Sequence, residues 1–283
     1  MRMNAIGYYN GTIGALDEIK IPLLDRAVYF GDGCYEACFV QNKKAFELEA
    51  HLDRFERSMA LLKIVPPKSR EALKTALSDC MAAYGPDTGL LYWQCSRGTA
   101  KRQHNFPDAS VPSNLAIMIT PKPRPEAHGT VRLMTAKDIR FTMCNVKTLN
   151  LLPNVLINQQ ATEQGYDEAI FVRDGIVTEC THSNVHLLKD GALWTHPTDR
   201  YILPGITRMG LIGICNALGV PVREEPFPKE ALFTADEVLI SASGAGVRSA
   251  TEIDGAPVGG KATALLHLLQ DEYDRKLTEE TRA

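Results

Sequence analysis

The sequence predicts an α+β fold built as two units. Three observations carry that prediction. Short strand-like runs bounded by Asn-Gly and Asp-Gly turns recur along the chain. Other segments repeat their apolar residues at helical spacing. A proline cluster, Pro121, Pro123 and Pro125, separates two stretches that each hold both kinds of element. The 283 residues, 45% hydrophobic and 23% charged, have an ordinary globular make-up and suffice for one large or two modest domains.

The elements follow in order. "YYNGTIG" carries a hairpin turn at Asn10-Gly11. "DRAVYFGDGCYEACFV" reads as a loop running into a strand. "HLDRFERSMALLKI" puts Leu52, Phe55, Met59 and Leu62 on one helical face, and a second helix from about Ser69 to Tyr84 turns Leu73, Leu77, Cys80, Met81 and Tyr84 inward. The strands "LLYWQCSRG" and "NLAIMIT" flank a polar loop, "TAKRQHNFPDAS". Proline at the density of "TPKPRPEAHGT" favours a stiff extended connection, so the expected division is 1–120, a linker at 121–130, and 131–283. The second half opens on the strand "VRLMTAKD", followed by a helix from about Asn154 to Gln164. Paired strands then turn at Asp174-Gly175 and Asp190-Gly191. A helix enters at Pro204-Gly205 and stops at Gly219, "DEVLISASGAG" is a strand ending in small residues, and a last helix near Lys261 to Lys276 buries Leu265, Leu266 and Leu269.

Charge and composition exclude several classes. A formal net charge of −3 does not suit a nucleic-acid or polybasic membrane partner. The start, "MRMNAIGYYNGT", turns polar at once and is not expected to act as a leader, and no apolar run approaches the roughly 18 residues of a membrane span. Seven cysteines, with no Cys-x-x-Cys, point to reduced thiols in a cytoplasm. A metal site is not expected, because His182 and His186, read as four apart on one strand, would stand roughly 13 Å apart.

Five features bear on chemistry. Lys147, in "TMCNVKTLNLLPNVL", reads as a surface lysine or as a Schiff-base lysine. The second reading needs a desolvated amine, for which Met143 and Leu149–Leu152 are the expected apolar surroundings. Arg54 shares a helix with Arg57, and the basic face they form reads as solvated, a reading kept for Arg57. "LPGITR" opens a helix whose free amides at Ile206 and Thr207 attract anions. "SASGAG" places Ser241 and Ser243 after a strand, again suited to a phosphate. Glu179, in "VTECTHSN", ends a strand, where a glutamate is usually exposed.

Each signal is weak alone, but their order along the chain is specific. With "YFGDGCYE", "HLDRF", "RGTAKRQHNFP", "VKTLNLLPNVL", "VTECTHSN", "LPGITR" and "EIDG" in this succession, the sequence resembles the fold-type IV pyridoxal-phosphate enzymes over nearly its whole length, and among them the D-amino-acid transaminases. The resemblance implies a smaller N-terminal α/β domain, a larger C-terminal mixed β/α domain and pyridoxal 5'-phosphate at their interface. It assigns Lys147 as the covalent attachment point and proton shuttle, and Glu179 as the partner of the pyridine nitrogen. Arg54, Ile206, Thr207 and Ser243 fall on phosphate-holding positions. Tyr35, Arg102 and His104 match the trap for the substrate α-carboxylate. Since Arg102 and His104 reach a neighbouring subunit's site in that family, a homodimer is implied. The implied reaction exchanges an amino group between a D-amino acid and a 2-oxo acid, such as D-alanine and 2-oxoglutarate, giving pyruvate and D-glutamate.

Some positions depart from the family pattern. Ala242 stands where a phosphate-binding hydroxyl is common, Pro204 precedes the Gly-Ile-Thr turn, and His182 replaces a small residue. Related families share parts of this pattern. L-branched-chain aminotransferases carry a tyrosine where Leu152 stands and lack the Arg-x-His of "KRQH". Aminodeoxychorismate lyases share the lysine, the glutamate and the phosphate turn, and (R)-selective amine transaminases rearrange the carboxylate pocket. A silent binding protein on the same fold is opposed by the presence of Lys147, Glu179 and Arg54 together.

Overall fold

A computed structural model describes residues 4–283. It forms two compact units. The first is the chain up to Arg124 with Val146–Asn150 and Glu279–Ala283, and the second is Pro125–Asn145 with Leu151–Thr278. Each has its own sheet and core, in the mixed α+β class that the sequence predicts.

The first unit runs β1 (Ile6–Tyr9), β2 (Thr12–Ala15), α1 (Arg26–Phe30), β3 (Gly33–Gln41), β4 (Lys44–Ala45), α2 (Leu48–Leu61), α3 (Arg70–Ala83), β5 (Thr88–Ser96) and β6 (Asn114–Pro121). Its antiparallel sheet has the order β2-β1-β6-β5-β3-β4. The Asn10-Gly11 turn joins β1 to β2, and both residues take positive φ, 47° and 106°, as a tight hairpin turn of this type requires. Leu52, Phe55 and Met59 of α2 and Leu73, Leu77, Cys80 and Met81 of α3 pack with Trp93, Leu91 and Ile117 of the sheet. Leu62, expected on the same face, caps α2 and is only partly buried.

The segment read as a loop before β3 contains the short helix α1. Asp25 caps it by accepting from the Ala27 amide, and Gly31 ends it in the left-handed region at φ 61°. Five residues are too few to show a helical apolar period, so only the caps could have marked it. Along β3 the side chains alternate. Cys34, Glu36, Cys38 and Val40 are buried, while Tyr35 and Ala37 on the opposite face are half-buried.

The second unit runs β7 (Thr130–Lys137), α4 (Leu152–Glu163), β8 (Glu168–Arg173), β9 (Ile176–Cys180), β10 (Asn184–Lys189), β11 (Ala192–Thr195), α5 (Ile206–Ala217), β12 (Val222–Glu224), α6 (Ala231–Thr234), β13 (Glu237–Ala242), β14 (Gly246–Ile253), β15 (Ala256–Pro257) and α7 (Thr263–Glu280). Its mixed sheet has the order β12-β11-β10-β13-β14-β7-β8-β9, with β15 on β14. The pairs β11–β12, β14–β7 and β7–β8 are parallel. Val131, Leu133, Ile170, Val185, Leu187, Val238 and Ile240 form its core with Phe227 and Leu232. α4 starts two residues earlier than the sequence predicts, with Pro153 in its first turn, where a missing N–H costs nothing. α7 runs four residues further, and Leu265 is only half-buried. No helix among the described residues is long and apolar enough to cross a membrane.

Candidate active site

In the first unit, residues 147–149 lie as an extra edge along β3. The Tyr35 amide donates to the Lys147 carbonyl at 2.9 Å and the Leu149 amide to the Gly33 carbonyl at 3.1 Å. Cys34 and Thr148 form an antiparallel bridge. The Lys147 amide donates to Ser58 Oγ of α2 at 3.4 Å. This pairing brings the Lys147 amine over the Tyr35 ring, 4.3 Å from its centroid, a favourable place for a cation. The Tyr35 ring in turn stacks on Tyr92, centroids 5.3 Å apart. The apolar surroundings expected from Met143 and Leu149–Leu152 are not formed. Met143 and Leu152 are 47% and 68% exposed, and Leu149 and Leu151 are half-buried. Met143 lies in irregular chain ahead of the paired residues and Leu152 opens α4, and the surface beside the amine is the aromatic face of Tyr35.

Arg54 is not on a solvated face. It is buried, while Arg57 is exposed. Its Nε donates to Glu36 Oε1 at 2.7 Å and one Nη to Glu36 Oε2 at 2.8 Å, a forked pairing that fixes the guanidinium plane. His51, one helical turn earlier, meets Glu36 Oε2 at 2.7 Å. Burial pushes the Glu36 carboxyl up, but the Arg54 charge and the bonds from Arg54 and His51 outweigh it and bring it down to about 2. Burial holds the His51 imidazole below its ordinary value despite Glu36. Glu36 was not singled out from the sequence, although a signal was present. It occupies the buried register of an otherwise apolar strand face, and a charge there demands a buried partner.

Arg102 and His104 lie on an exposed loop between β5 and β6. They come together around Phe30 of α1, with the Arg102 guanidinium 5.1 Å from the ring centroid and the His104 ring also 5.1 Å away. Among the described residues, no hydrogen bond, ion pair or ring contact joins either to Tyr35 or Lys147.

In the second unit, Glu179 is the penultimate residue of β9 and is 6% exposed, against the usual exposure of a glutamate near a strand end. Its Oε1 is paired with Arg140. Its Oε2 accepts from Asn184 Nδ2 at 3.2 Å and from the Leu203 amide at 2.9 Å. Arg140 is itself held by Asp138 through Nε at 3.0 Å and Nη2 at 2.9 Å, and its guanidinium sits 4.4 Å from the Phe171 centroid. Burial lowers the Arg140 pKa, but Asp138 and Glu179 more than offset this and keep the guanidinium charged. The turn after Glu179 is shaped by buried Glu168, whose Oε1 accepts the amides of His182 (2.6 Å) and Ser183 (3.1 Å). His182 and His186 are therefore not on one strand. His182 lies in the turn, paired with Glu168 at 3.1 Å, and His186 lies within β10. Among the described residues no group of three or more His, Cys, Asp or Glu is placed to hold a metal.

Asn184 links Glu179 to the start of α5. Its Nδ2 also donates to the Leu203 carbonyl at 2.9 Å, and a Cβ on Gly205 would stand 2.0 Å from its Oδ1. Gly205 is thus required by close approach. α5 begins at Ile206 without a side-chain cap, and Met209 donates to the Gly205 carbonyl at 3.0 Å. The preceding amides of the turn have no carbonyl partner within the helix and point along its axis. The Thr207 hydroxyl lies 3.3 Å from the Tyr273 hydroxyl. Ser243 stands in the turn between β13 and β14, half-buried, beside Ala242. Arg140, Asp138 and Asn184 escaped the sequence reading, since nothing local in "KDIRF" or "THSN" shows that these side chains converge on Glu179.

Comparison with known proteins identifies the family. A family model for amino-transferase class IV matches residues 33–253. D-alanine aminotransferase of Bacillus licheniformis is 38% identical over 255 residues, 90% of each chain. D-alanine aminotransferase of Staphylococcus aureus is 36% identical over 271 residues, 95% of this chain and 96% of its own. Among solved structures, a branched-chain aminotransferase from Thermoproteus uzoniensis with norvaline superposes with a TM-score of 0.87 at 24% identity, covering 98% of this chain and 96% of its own, a likeness of fold. The chain belongs to the class IV aminotransferase family.

Proposed function

We propose that the chain is a pyridoxal-phosphate-dependent D-amino-acid transaminase, exchanging an amino group between a D-amino acid such as D-alanine and a 2-oxo acid such as 2-oxoglutarate. The observation that carries this reading is the similarity, over at least nine-tenths of both chains, to proteins named D-alanine aminotransferase. Each unit holds groups of the kinds the cofactor calls for: in the first a lysine amine over an aromatic ring and a buried guanidinium, and in the second an uncapped helix N-terminus with an adjoining hydroxyl and a buried carboxylate with a cation on one oxygen.

Bound pyridoxal phosphate supplies an electron sink for the pair left when the α-proton departs. The chain's residues supply the rest. Lys147 Nζ would hold the cofactor and would carry the proton to and from the substrate's α-carbon. Glu179 keeps a proton on the ring nitrogen. Arg140 serves that role by pairing with one carboxylate oxygen and keeping the group aimed. Arg54, the amides of Ile206 and Thr207, and Ser243 hold the phosphate dianion. Tyr35, Arg102 and His104 hold the substrate carboxylate, the last two from the second copy of a homodimer. With the carboxylate held there, the α-hydrogen of a D-amino acid faces Lys147. All seven cysteines are buried and free, which supports a reducing compartment such as the cytoplasm.

The test is the half-reaction of the purified holoenzyme, followed by cofactor absorbance, with D- and L-alanine and D- and L-leucine. D-alanine should convert the cofactor fastest. If L-leucine outpaces every D-amino acid tried, the chain is an L-branched-chain enzyme and the carboxylate assignment is wrong.

A further inference from the structure

The loop carrying Arg102 and His104 is exposed, yet it is tied down by one acidic residue that contacts neither of them. Asp32 lies just before β3, its side chain 15% exposed, between two arginines that are nearly buried. Its Oδ2 accepts from Arg26 Nε at 2.7 Å and from Arg97 Nε at 2.9 Å, and its Oδ1 accepts from Arg97 Nη2 at 3.0 Å. Each arginine then reaches the loop. Arg26 donates through Nη1 to the carbonyl of Gln103 at 2.9 Å, the residue between Arg102 and His104, and its guanidinium sits 4.9 Å from the Phe30 centroid. Arg97 places its guanidinium 3.6 Å from the centroid of Phe106, two residues beyond His104.

The two arms have different jobs. Arg97 is also anchored by the carbonyls of Leu62 and Lys63, both at 2.9 Å, so Asp32 and these carbonyls fix it to the unit's framework. Arg26 has Asp32 as its ion-pair partner, and the direction of its Nη1 toward Gln103 depends on Asp32 holding Nε. The loop base is secured separately, by the Tyr29 hydroxyl on the Ala100 carbonyl at 2.7 Å and the Ala100 amide on the Leu24 carbonyl at 3.1 Å. Without the Asp32 pair the loop keeps its base and the Phe106 contact of Arg97, still anchored by the Leu62 and Lys63 carbonyls, but loses its directed hold at residue 103. Arg102 and His104 then keep Phe30 as their only ring contact among the described residues. Long exposed side chains held by ring contacts alone sample many rotamers, and ordering them anew costs affinity each time a carboxylate binds.

We propose that Asp32 is a positioning residue for substrate binding, orienting Arg26 and Arg97 so that the loop presents Arg102 and His104 in one geometry to the substrate carboxylate. This rests on the reading of Arg102 and His104 as carboxylate donors. A merely structural ion pair would lower stability without separating KM from kcat.

The experiment compares holoenzymes of the wild type, Asp32→Asn, Arg102→Ala and the double variant in steady state with D-alanine, with cofactor content measured for each. Asp32→Asn should raise the KM for D-alanine about 10-fold or more, as expected when a charge-assisted contact is loosened. It should leave kcat within a few fold and retain full cofactor content. In the Arg102→Ala background the same change should raise KM far less, because its target is already gone. Fully additive effects, or a loss of kcat at unchanged KM, would overturn the proposal. If Asp32→Asn does not fold, Arg26→Gln removes only the tie to Gln103 and should give the same KM-selective change, and an unchanged KM there also overturns it. An Arg102→Ala enzyme with wild-type KM would instead overturn the carboxylate reading on which the proposal rests.

Discussion

At the residue scale the two candidate carboxylates show how burial is made tolerable. Glu36 and Glu179 each stand where a charge is expensive, and each is met by an arginine with a second polar partner on the far oxygen. The difference lies in what holds the arginine. Arg54 is forked onto Glu36 itself, so the pair orients the guanidinium, whereas Arg140 is forked onto Asp138 and offers Glu179 a single contact. The second arrangement suits a carboxylate that must stay ionised and keep its orientation for another group. Glu179→Gln preserves the shape and the approach of Asn184 but removes the charge that keeps the ring nitrogen protonated. Turnover with D-alanine should fall about 10²-fold, a loss of roughly 3 kcal/mol of electrostatic stabilisation, while cofactor remains bound. Unchanged turnover in a fully loaded variant would exclude the role.

At the element scale the start of α5 depends on what precedes it as much as on its own sequence. Asn184 occupies the space a Cβ on Gly205 would need, and the same side chain serves Glu179 and the Leu203 carbonyl. Gly205→Ala therefore forces Asn184 aside. Overpacking of this kind costs about 1–3 kcal/mol, so the apoprotein Tm should fall by several degrees, and cofactor affinity should fall with it. The variant Asn184→Ala should lose little further on adding Gly205→Ala, because the clash is gone, and additive losses in Tm would show that the glycine is needed for another reason. Legibility in the sequence follows the same division between local and distant causes. The Asn10-Gly11, Asp174-Gly175 and Asp190-Gly191 turns and the faces of α2 and α3 were readable, because neighbours a few residues apart set them. Asn184 in "THSN" and Arg140 in "KDIRF" were not, because Asn184 reaches Glu179 across a turn shaped by the distant Glu168, and Arg140 lies 39 residues from Glu179. The apolar run around Lys147 misled for a related reason. Hydrophobic content was visible, but only residues 147–149 pair with β3, while Met143 lies ahead of them in irregular chain and Leu152 opens α4, both exposed.

At the scale of the whole molecule, the buried titratable groups set how the protein meets acid. His186 in β10 is fully buried, with Nε2 against Ser241 Oγ at 2.8 Å and Nδ1 without a partner. Burial first, then the nearby Arg208 charge, brings its pKa down to about 3. Since the unfolded chain takes this proton near pH 6.5, the neutral histidine contributes stability that is complete above that pH and is lost as pH falls toward 3. His51 is depressed in the same direction and adds to the slope. Glu36, down at about 2, contributes stability present above the ordinary carboxylate range and lost only as pH falls from about 4.5 toward 2. Between pH 6.5 and 5 the loss therefore belongs to the histidines, at up to roughly 1.4 kcal/mol per pH unit for each fully linked proton. Each unit holds one of the two tryptophans, Trp93 in β5 and Trp194 in β11. Urea unfolding followed through Trp194, in a variant where Trp93 is replaced by Phe, should show a midpoint that falls steadily across this range. His186→Gln cannot take up the proton in either state, so its midpoint should vary distinctly less from pH 6.5 to 5 while still falling below 4.5. An equal slope in the two proteins between pH 6.5 and 5 would show that His186 is not the group the unfolded chain protonates at a cost to the fold.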